Sequence, residues 1–384
     1  LLYRAMGKTG VQVSNLGFGC MRLPVIDGQP DQIDEAKATE MIHYAIDQGV
    51  NYIDTAYPYH GKGFGEPGMS EVFVGKVLQG GYRQKVHLAT KLPCWMVGSR
   101  SDMDRLLNEQ LQRLQTDRID FYLLHSLQQD TWAKVTKLDV FSFLDQAIAD
   151  GRIGYAGFSF HDEYPLFPEI IDAYPWSFCQ IQYNYMDVTY QAGLKGLEYA
   201  AQKGMGVVIM EPLRGGRLAT RIPADIQQLW DRAEVKRTPA GWALQYVWNH
   251  PAVSTVLSGM NEMAQVVENI QAAEQGYANA MTAKEKDLIA QVKKIYESRT
   301  KVDCTNCRYC MPCPLGVDIP GSFIQLNNAS MYDDIKGARW TYQTFLSPAE
   351  RASGCTECGR YEEICPQQLP IRERLKEVVR ELES

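Results

Sequence analysis

Four polar residues follow short apolar runs in the first third of the chain: Asp54 and Tyr59 in DTAYPY, Lys91 in ATK and His125 in YLLH. Together these side-chain types can move a proton to or from an oxygen atom. A phenol with an ordinary pKa of about 10 is a weak acid unless a neighbouring cation favours the phenolate. Lys91 can supply that charge. A buried lysine tends to lose its proton, and Asp54 can hold it as ammonium. His125, donating through one ring nitrogen, can orient the oxygen and share the proton relay. The set suits a carbonyl that takes hydride on carbon and a proton on oxygen, or the reverse oxidation. Taken singly, each residue also suits a helix cap, a loop aromatic, a surface charge or a satisfied core histidine. The chemical reading rests on their joint occurrence.

A second group is made of cysteines. Seven of the ten lie between Cys304 and Cys365: Cys304, Cys307, Cys310 and Cys313 followed by Pro314, then Cys355, Cys358 and Cys365 followed by Pro366. Cytosolic thiols are kept reduced, so such an array points to metal rather than to disulfides. A zinc ribbon also uses paired CxxC motifs, but zinc takes four ligands and seven are present. Iron-sulfur is the favoured reading, with structural zinc as the alternative.

Several elements must position these groups. Apolar runs at 16–20, 51–55, 86–92, 119–125, 155–160, 178–184, 206–211 and 253–258 alternate with stretches of helical period. Ala38, Met41, Ile42, Ala45 and Ile46 form one such stripe, and Met103, Leu106, Leu107, Leu111 and Leu114 another. Eight strand-helix units without a GxGxxG after an early strand predict an α/β chain, a (β/α)8 TIM barrel rather than a doubly wound sheet. Asp54, Tyr59, Lys91 and His125 then follow the ends of three consecutive strands, where barrels carry their reactive groups. Residues 3–14 predict a hairpin with turns at Gly7 and Gly10, and 282–298 one more helix. The expected organisation is a barrel over 1–280, a connecting helix over 281–300 and a small, mainly helical and loop cysteine domain over 301–384. Within the last, 322–346 has helical character.

The motifs DTAYPY, ATK and YLLH, in order and spacing, resemble those of the aldo-keto reductases, and the resemblance covers about residues 3–275. It implies Asp54, Tyr59, Lys91 and His125 as the catalytic set. It also implies a nicotinamide dinucleotide held by Met21, Asp54, Ser159, Gln180, Met210, Pro212, Leu213, Gly215, Gly259, Gln265, Glu268 and Asn269. Ser159 and Gln180 would meet the carboxamide, PLRGG the pyrophosphate, and SGMNEMAQVVEN the adenosine half. The chain departs from the family pattern in having Phe160 after Ser159 and Met210 where an aromatic often stacks. Gly259–Asn269 contains no basic residue to pair with a 2'-phosphate, so NADH is favoured over NADPH.

The cysteine runs resemble two-cluster bacterial ferredoxins, in which the cysteine before proline ligates the other cluster. That resemblance assigns Cys304, Cys307, Cys310 and Cys365 to one complete 4Fe-4S site. It leaves Cys313, Cys355 and Cys358 with Tyr361 at a second, incomplete one.

The whole chain of 384 residues is 45% hydrophobic with 39 basic and 46 acidic residues, a net charge of −7. This balance argues against nucleic acid or an anionic membrane as partner and for a small molecule. No stretch approaches the roughly 18–20 apolar residues of a membrane span, and no leader pattern opens the chain, so a cytoplasmic location is expected. Hydride transfer to an aldehyde or ketone, or from the corresponding alcohol, is the expected activity, with a one-electron carrier protein as a possible further partner. The alternative is a sensory or electron-transfer protein that uses the barrel to bind nucleotide. The loop 61–69, with four glycines and a proline, is either a flap or an irregular surface connection.

Overall fold

The computed structural model describes residues 1–62, 65–304, 306–362 and 365–384. The described residues form ten strands: β1 (Tyr3–Ala5), β2 (Gln12–Ser14), β3 (Leu16–Gly19), β4 (Tyr52–Asp54), β5 (His87–Leu92), β6 (Ile119–Leu127), β7 (Ile153–Phe160), β8 (Phe178–Gln182), β9 (Gly206–Met210) and β10 (Val253–Ser258). β1 and β2 pair antiparallel as the expected hairpin, and the other eight close into a parallel barrel in the order β10-β3-β4-β5-β6-β7-β8-β9. Each barrel strand overlaps its predicted run. The (β/α)8 expectation therefore holds.

Side chains alternate across a strand, so residues two apart share a face. Tyr52, Ala89, Phe121, Leu123, Phe178 and Val208 fill the lower barrel interior, together with Met6 and Val13 from the hairpin. Two residues further along the same faces stand Asp54, Lys91, His125, Gln180 and Met210. Four of these five inward rows thus change from apolar to polar towards the C-terminal end, and the β9 row stays apolar with Met210. The hairpin closes the other end. Gly7 has φ 53°, and an added Cβ there would overlap the Gly206 backbone, so glycine lets the hairpin turn sit directly on β9. Arg4 completes the closure by donating to the carbonyls of Trp248, Gly276, Val253 and His250 at 2.7–3.3 Å.

The helices Glu35–Asp47 and Arg100–Arg113 bury the predicted stripes, Ala38, Met41, Ile42, Ala45 and Ile46 in one and Met103, Leu106 and Leu107 in the other. Asp34 caps the first by accepting from the Lys37 N–H, and Ser99 with Asp102 forms a capping box on the second.

The chain divides into two compact units, Leu1–Gly215 with Arg237–Thr282, and Gly216–Lys236 with Ala283–Ser384. The second contains the helices Ala224–Arg232, Ala283–Glu297, Ile319–Met331, Ile335–Phe345 and Ile371–Val378. Its core gathers Val317, Phe323, Leu326, Ala338, Tyr342, Leu375 and Val378. The helical stretch expected over 322–346 is two helices. Asp318 and Asp334 start them by accepting from the N–H of Gly321 and Gly337, and Asp333 between them has φ 50°. Asp334 also pairs with Arg217 and Arg221, which ties the 216–236 segment into this unit. Among the described residues no helix is long and apolar enough to cross a membrane.

Candidate active site

Lys91 is fully buried and Asp54 is 2% exposed. The Lys91 ammonium reaches both carboxylate oxygens of Asp54 at 2.8 and 2.7 Å and the Thr55 carbonyl at 2.8 Å. An ammonium has three N–H donors, and these three oxygens match them. The Tyr59 hydroxyl stands further off, at 3.5 Å, so in this arrangement Lys91 acts on it mainly as a charge. The Tyr59 ring lies edge-on to His125, with centroids 6.2 Å apart at 81°. The Trp95 ring also meets His125, with centroids 5.1 Å apart at 55°.

β6 and β7 lose register between Leu124 and Leu127, and Ser126 takes φ 56°. The Ser126 N–H donates to the Ser159 hydroxyl oxygen at 2.7 Å, which fixes this irregularity directly after His125. Bulges of this kind re-aim a side chain at a barrel rim.

Burial penalises both charges of the Asp54–Lys91 pair. It pushes the Asp54 carboxyl up against the opposing pull of Lys91. It also draws Lys91 down, but attraction to Asp54 and Tyr59 outweighs this and leaves the amine above its ordinary value. With three oxygens on its three N–H groups, lysine is held as ammonium. Tyr59 departs from the expectation that Lys91 would lower it. Burial raises the phenol, and the Lys91 charge offsets only part of that rise. His125 is driven well below its ordinary value by burial, then by the charges of Lys91 and His161. Neutral imidazole carries one N–H, so it can donate one hydrogen bond.

Ser159 and Gln180 are paired across β7 and β8 and are almost fully buried. The Ser159 oxygen already accepts from Ser126, which leaves its hydroxyl proton to donate. Gln180 Oε1 is buried with no partner among the described residues, and its amide nitrogen meets only the Met210 sulfur at 3.5 Å. An O–H donor beside an orphaned amide oxygen fits a carboxamide, which needs one partner of each kind. Met21 is 44% exposed beyond β3. Pro212 is buried, Leu213 packs on the barrel core, and Gly215 has φ 67°. In the last loop Gln265 accepts from the Asn261 N–H and Asn269 donates to Ser258, so both brace the loop; Glu268 is half-buried, and Gly259 is exposed.

Arg22 was absent from the sequence assignment. Its stem lies against Gly259, 3.1–3.3 Å from where a Cβ would stand. Its guanidinium meets Glu211 at 3.4 Å and the Gly215 carbonyl at 3.5 Å. A cation therefore stands between PLRGG and the 259–269 loop although neither segment supplies it. The available signal was its place at the exit of the first barrel strand, next to Met21. Of the loop residues near the rim, Tyr57 packs under Arg113 and His60 bridges the Leu23 N–H and the Pro30 carbonyl. Met96 packs on the core, and Trp95 is the one of the four that meets the site. Gly63 and Phe64 of the 61–69 loop lie outside the described residues. The loop's ends are joined where Gly68, Met69 and Ser70 donate backbone bonds to Tyr57, His60 and Tyr59.

In the second unit Cys304, Cys307, Cys310 and Cys365 line one small, partly open cavity with Ile319, Phe323 and Pro366. These are the four cysteines that the crossing pattern assigns together. Cys313 and Cys355 are half-buried against the same core, whereas Cys358 is exposed. The Tyr361 hydroxyl donates to the Pro312 carbonyl at 2.7 Å. None of the ten cysteines is paired in a disulfide. Among the described residues no three Cys, His, Asp or Glu side chains converge on a point that one ion would fill. A cubane does not require this, because its four thiolates bind four separate irons.

The comparisons agree with this architecture. The family model for the aldo/keto reductase family matches residues 15–290, and that for a 4Fe-4S dicluster domain matches 303–370. The chain is 32% identical over 234 residues to the uncharacterized oxidoreductase YrpG of Bacillus subtilis, covering 56% of this chain and 68% of that protein. It is 27% identical over 319 residues to L-galactose dehydrogenase of Arabidopsis thaliana, covering 77% of this chain and 94% of the relative. Among solved structures, the holo form of aldo-keto reductase AKR11C1 from Bacillus halodurans superposes with a TM-score of 0.61 at 29% identity, covering 76% of this chain and 95% of that one. With its barrel, its strand-end residues and a family match over most of its length, this chain belongs to the aldo/keto reductase family of oxidoreductases and carries a C-terminal 4Fe-4S dicluster domain.

Proposed function

We propose that the barrel reduces an aldehyde or ketone, or oxidises the matching alcohol, with Tyr59 as general acid or base. The observation that carries this reading is the buried Lys91 ammonium, fully matched by Asp54 and Thr55 and facing the Tyr59 hydroxyl. The bound nicotinamide supplies or accepts the hydride. Tyr59 gives its proton to the carbonyl oxygen, and Lys91 stabilises the phenolate that remains. Neutral His125 donates one hydrogen bond to the same oxygen and orients it. Ser159 and Gln180 hold the carboxamide, and Trp95 walls the substrate side. Consumption of NADH or NADPH over a panel of carbonyl compounds tests the activity. The panel should include sugars, since one relative is an L-galactose dehydrogenase. Failure of every carbonyl and alcohol to turn over would favour the sensory or electron-transfer alternative.

NADH is the proposed preference, because Arg22 points its guanidinium at Glu211 and Gly215 rather than along Gly259–Asn269. From there it serves the pyrophosphate that both dinucleotides share. Arg22→Ala is expected to weaken NADH and NADPH equally, by about tenfold or more for a charge-assisted contact. Fluorescence titration with each dinucleotide checks this. A loss confined to NADPH would instead put Arg22 on the 2'-phosphate.

Gly68 offers a test of Tyr59 placement, since a Cβ on Gly68 would overlap the Tyr59 carbonyl. Gly68→Ala is expected to displace the Tyr59 backbone and lower kcat by about tenfold or more, because small misplacements are costly in oriented reactions. Steady-state kinetics beside a nucleotide titration would show kcat falling while dinucleotide affinity holds.

In the second unit, Cys304, Cys307, Cys310 and Cys365 are the proposed ligands of one 4Fe-4S cluster. Four thiols around one cavity suit a multi-iron cluster better than a single zinc. Cys313, Cys355 and Cys358 form the incomplete second site, where the Tyr361 hydroxyl is already engaged by Pro312. Cys307 and Tyr309 are exposed at the rim of the cavity, which offers a one-electron carrier protein a short approach. A cysteine array used for metal ligation in place of disulfides suits a cytoplasmic setting.

A further inference from the structure

Behind the Asp54–Lys91 pair lies a buried polar network that the catalytic reading does not use. The helix Ser70–Val77 begins with Ser70 and Glu71, both fully buried. Ser70 donates to the Cys20 carbonyl at 3.0 Å, so its single proton is committed. Thr55, 2.8 Å away, must therefore donate to it. Thr55 follows Asp54, and its own carbonyl accepts from Lys91. Glu71 accepts from the Thr90 hydroxyl at 2.6 Å and from Gln110 at 2.7 Å. Thr90 precedes Lys91, and Gln110 donates at 2.9 Å to the Lys91 carbonyl while accepting from Tyr122. Arg113 closes the network, its Nε donating to the other Glu71 oxygen at 2.9 Å. Gly75 permits this closure, since a Cβ there would overlap the Arg113 carbonyl.

Two adjacent residues thus grip the neighbours of both members of the ion pair, Ser70 through Thr55 and Glu71 through Thr90. A buried charge is a costly way to gain stability, because apolar packing of similar volume often does as well or better. Its value here is directional. Resting on the proposed catalytic role of Lys91 and Tyr59, we infer that Ser70 and Glu71 are positioning residues: they set the spacing of Asp54 from Lys91, and so the distance at which Lys91 faces Tyr59.

The test uses the full chain with Ser70→Ala and Thr90→Val, each of which cuts one grip, and with Ser70→Thr and Thr90→Ser, which keep the hydroxyl. Ser254→Ala is the control, removing a buried hydroxyl that bonds the Ala5 carbonyl at the hairpin end of the barrel. Thermal midpoints, dinucleotide affinity and kcat are measured for each. Ser70→Ala and Thr90→Val are expected to lose about tenfold or more in kcat with dinucleotide affinity unchanged. The hydroxyl-keeping variants should recover most of that loss, and Ser254→Ala should lower the midpoint alone. If Ser70→Ala and Thr90→Val lose no more kcat than the control at equal midpoints, or if their hydroxyl-keeping partners fail equally, the positioning role is overturned while the tyrosine mechanism stands. Undiminished turnover in Tyr59→Phe would overturn both. Should Thr90→Val not fold, the Ser70 pair alone decides.

Discussion

Tyr59→Phe is expected to slow carbonyl reduction by about 100-fold or more, the usual effect of losing a general acid. Dinucleotide affinity should stay close to that of the parent protein. The change deletes one oxygen from a half-buried ring and leaves the Lys91 ammonium with its three partners, Asp54 Oδ1, Asp54 Oδ2 and the Thr55 carbonyl. No buried charge is orphaned, so folding should be retained, and the lost rate reports on proton donation. Because burial raises the Tyr59 phenol, the parent protein keeps this group protonated at neutral pH, the form needed for reduction. Reduction should weaken only as pH rises through that elevated value, whereas oxidation, which needs the phenolate, should quicken over the same range. Stopped-flow and steady-state rates with one carbonyl and one alcohol across pH would check both directions. Turnover like that of the parent in the phenylalanine variant would exclude Tyr59 as the acid.

Cys365→Ser is expected to remove the complete cluster and destabilise the second unit. Cys365 is the one cavity-lining cysteine supplied from the distant end of the cysteine array, the other three lying between 304 and 310. Structural metal centres can contribute much of a small unit's folding energy, so losing one should expose residues 300–384 to proteolysis. Cys313→Ser should leave that cluster in place and affect only the second site. Tyr361→Cys should strengthen the second site, trading a hydroxyl bonded to Pro312 for a thiolate. Iron and sulfide analysis with electron paramagnetic resonance on anaerobically purified protein distinguishes these outcomes. Stoichiometric zinc would reject the iron-sulfur reading, and two equally stable cubanes in the parent would reject the incompleteness of the Tyr361 site.

Much of this arrangement was legible along the chain, because the relevant physics is local and periodic. Alternation with period two carries Tyr52 to Asp54, Ala89 to Lys91 and Leu123 to His125 on inward faces, so apolar runs ending in these residues predict both barrel and rim. The short CxxC intervals likewise confine Cys304, Cys307 and Cys310 to one neighbourhood before any folding is considered. The break at Asp333 was harder to see, since apolar residues on both sides continue the helical pattern and only the Asp334 cap marks the second start.

Other features depend on which distant segments meet. Arg22 reaches the Gly259 loop across more than two hundred residues, so counting charges within 259–269 could not reveal a cation there. Ser70 and Glu71 look like an ordinary helix start until Thr55, Thr90, Gln110 and Arg113 converge on them. The direction in which Tyr59 shifts was decided in the same way. Residue types identify Lys91 as a cation that lowers a phenol's pKa, but burial is a property of the packed site, and it outweighs that charge. Residue order determined the strands, the rim positions and the cysteine groups, because each follows from chain geometry over a few residues. Tertiary structure decided the balance of charge, burial and long-range hydrogen bonding, because those energies exist only once separate segments share the same dry space.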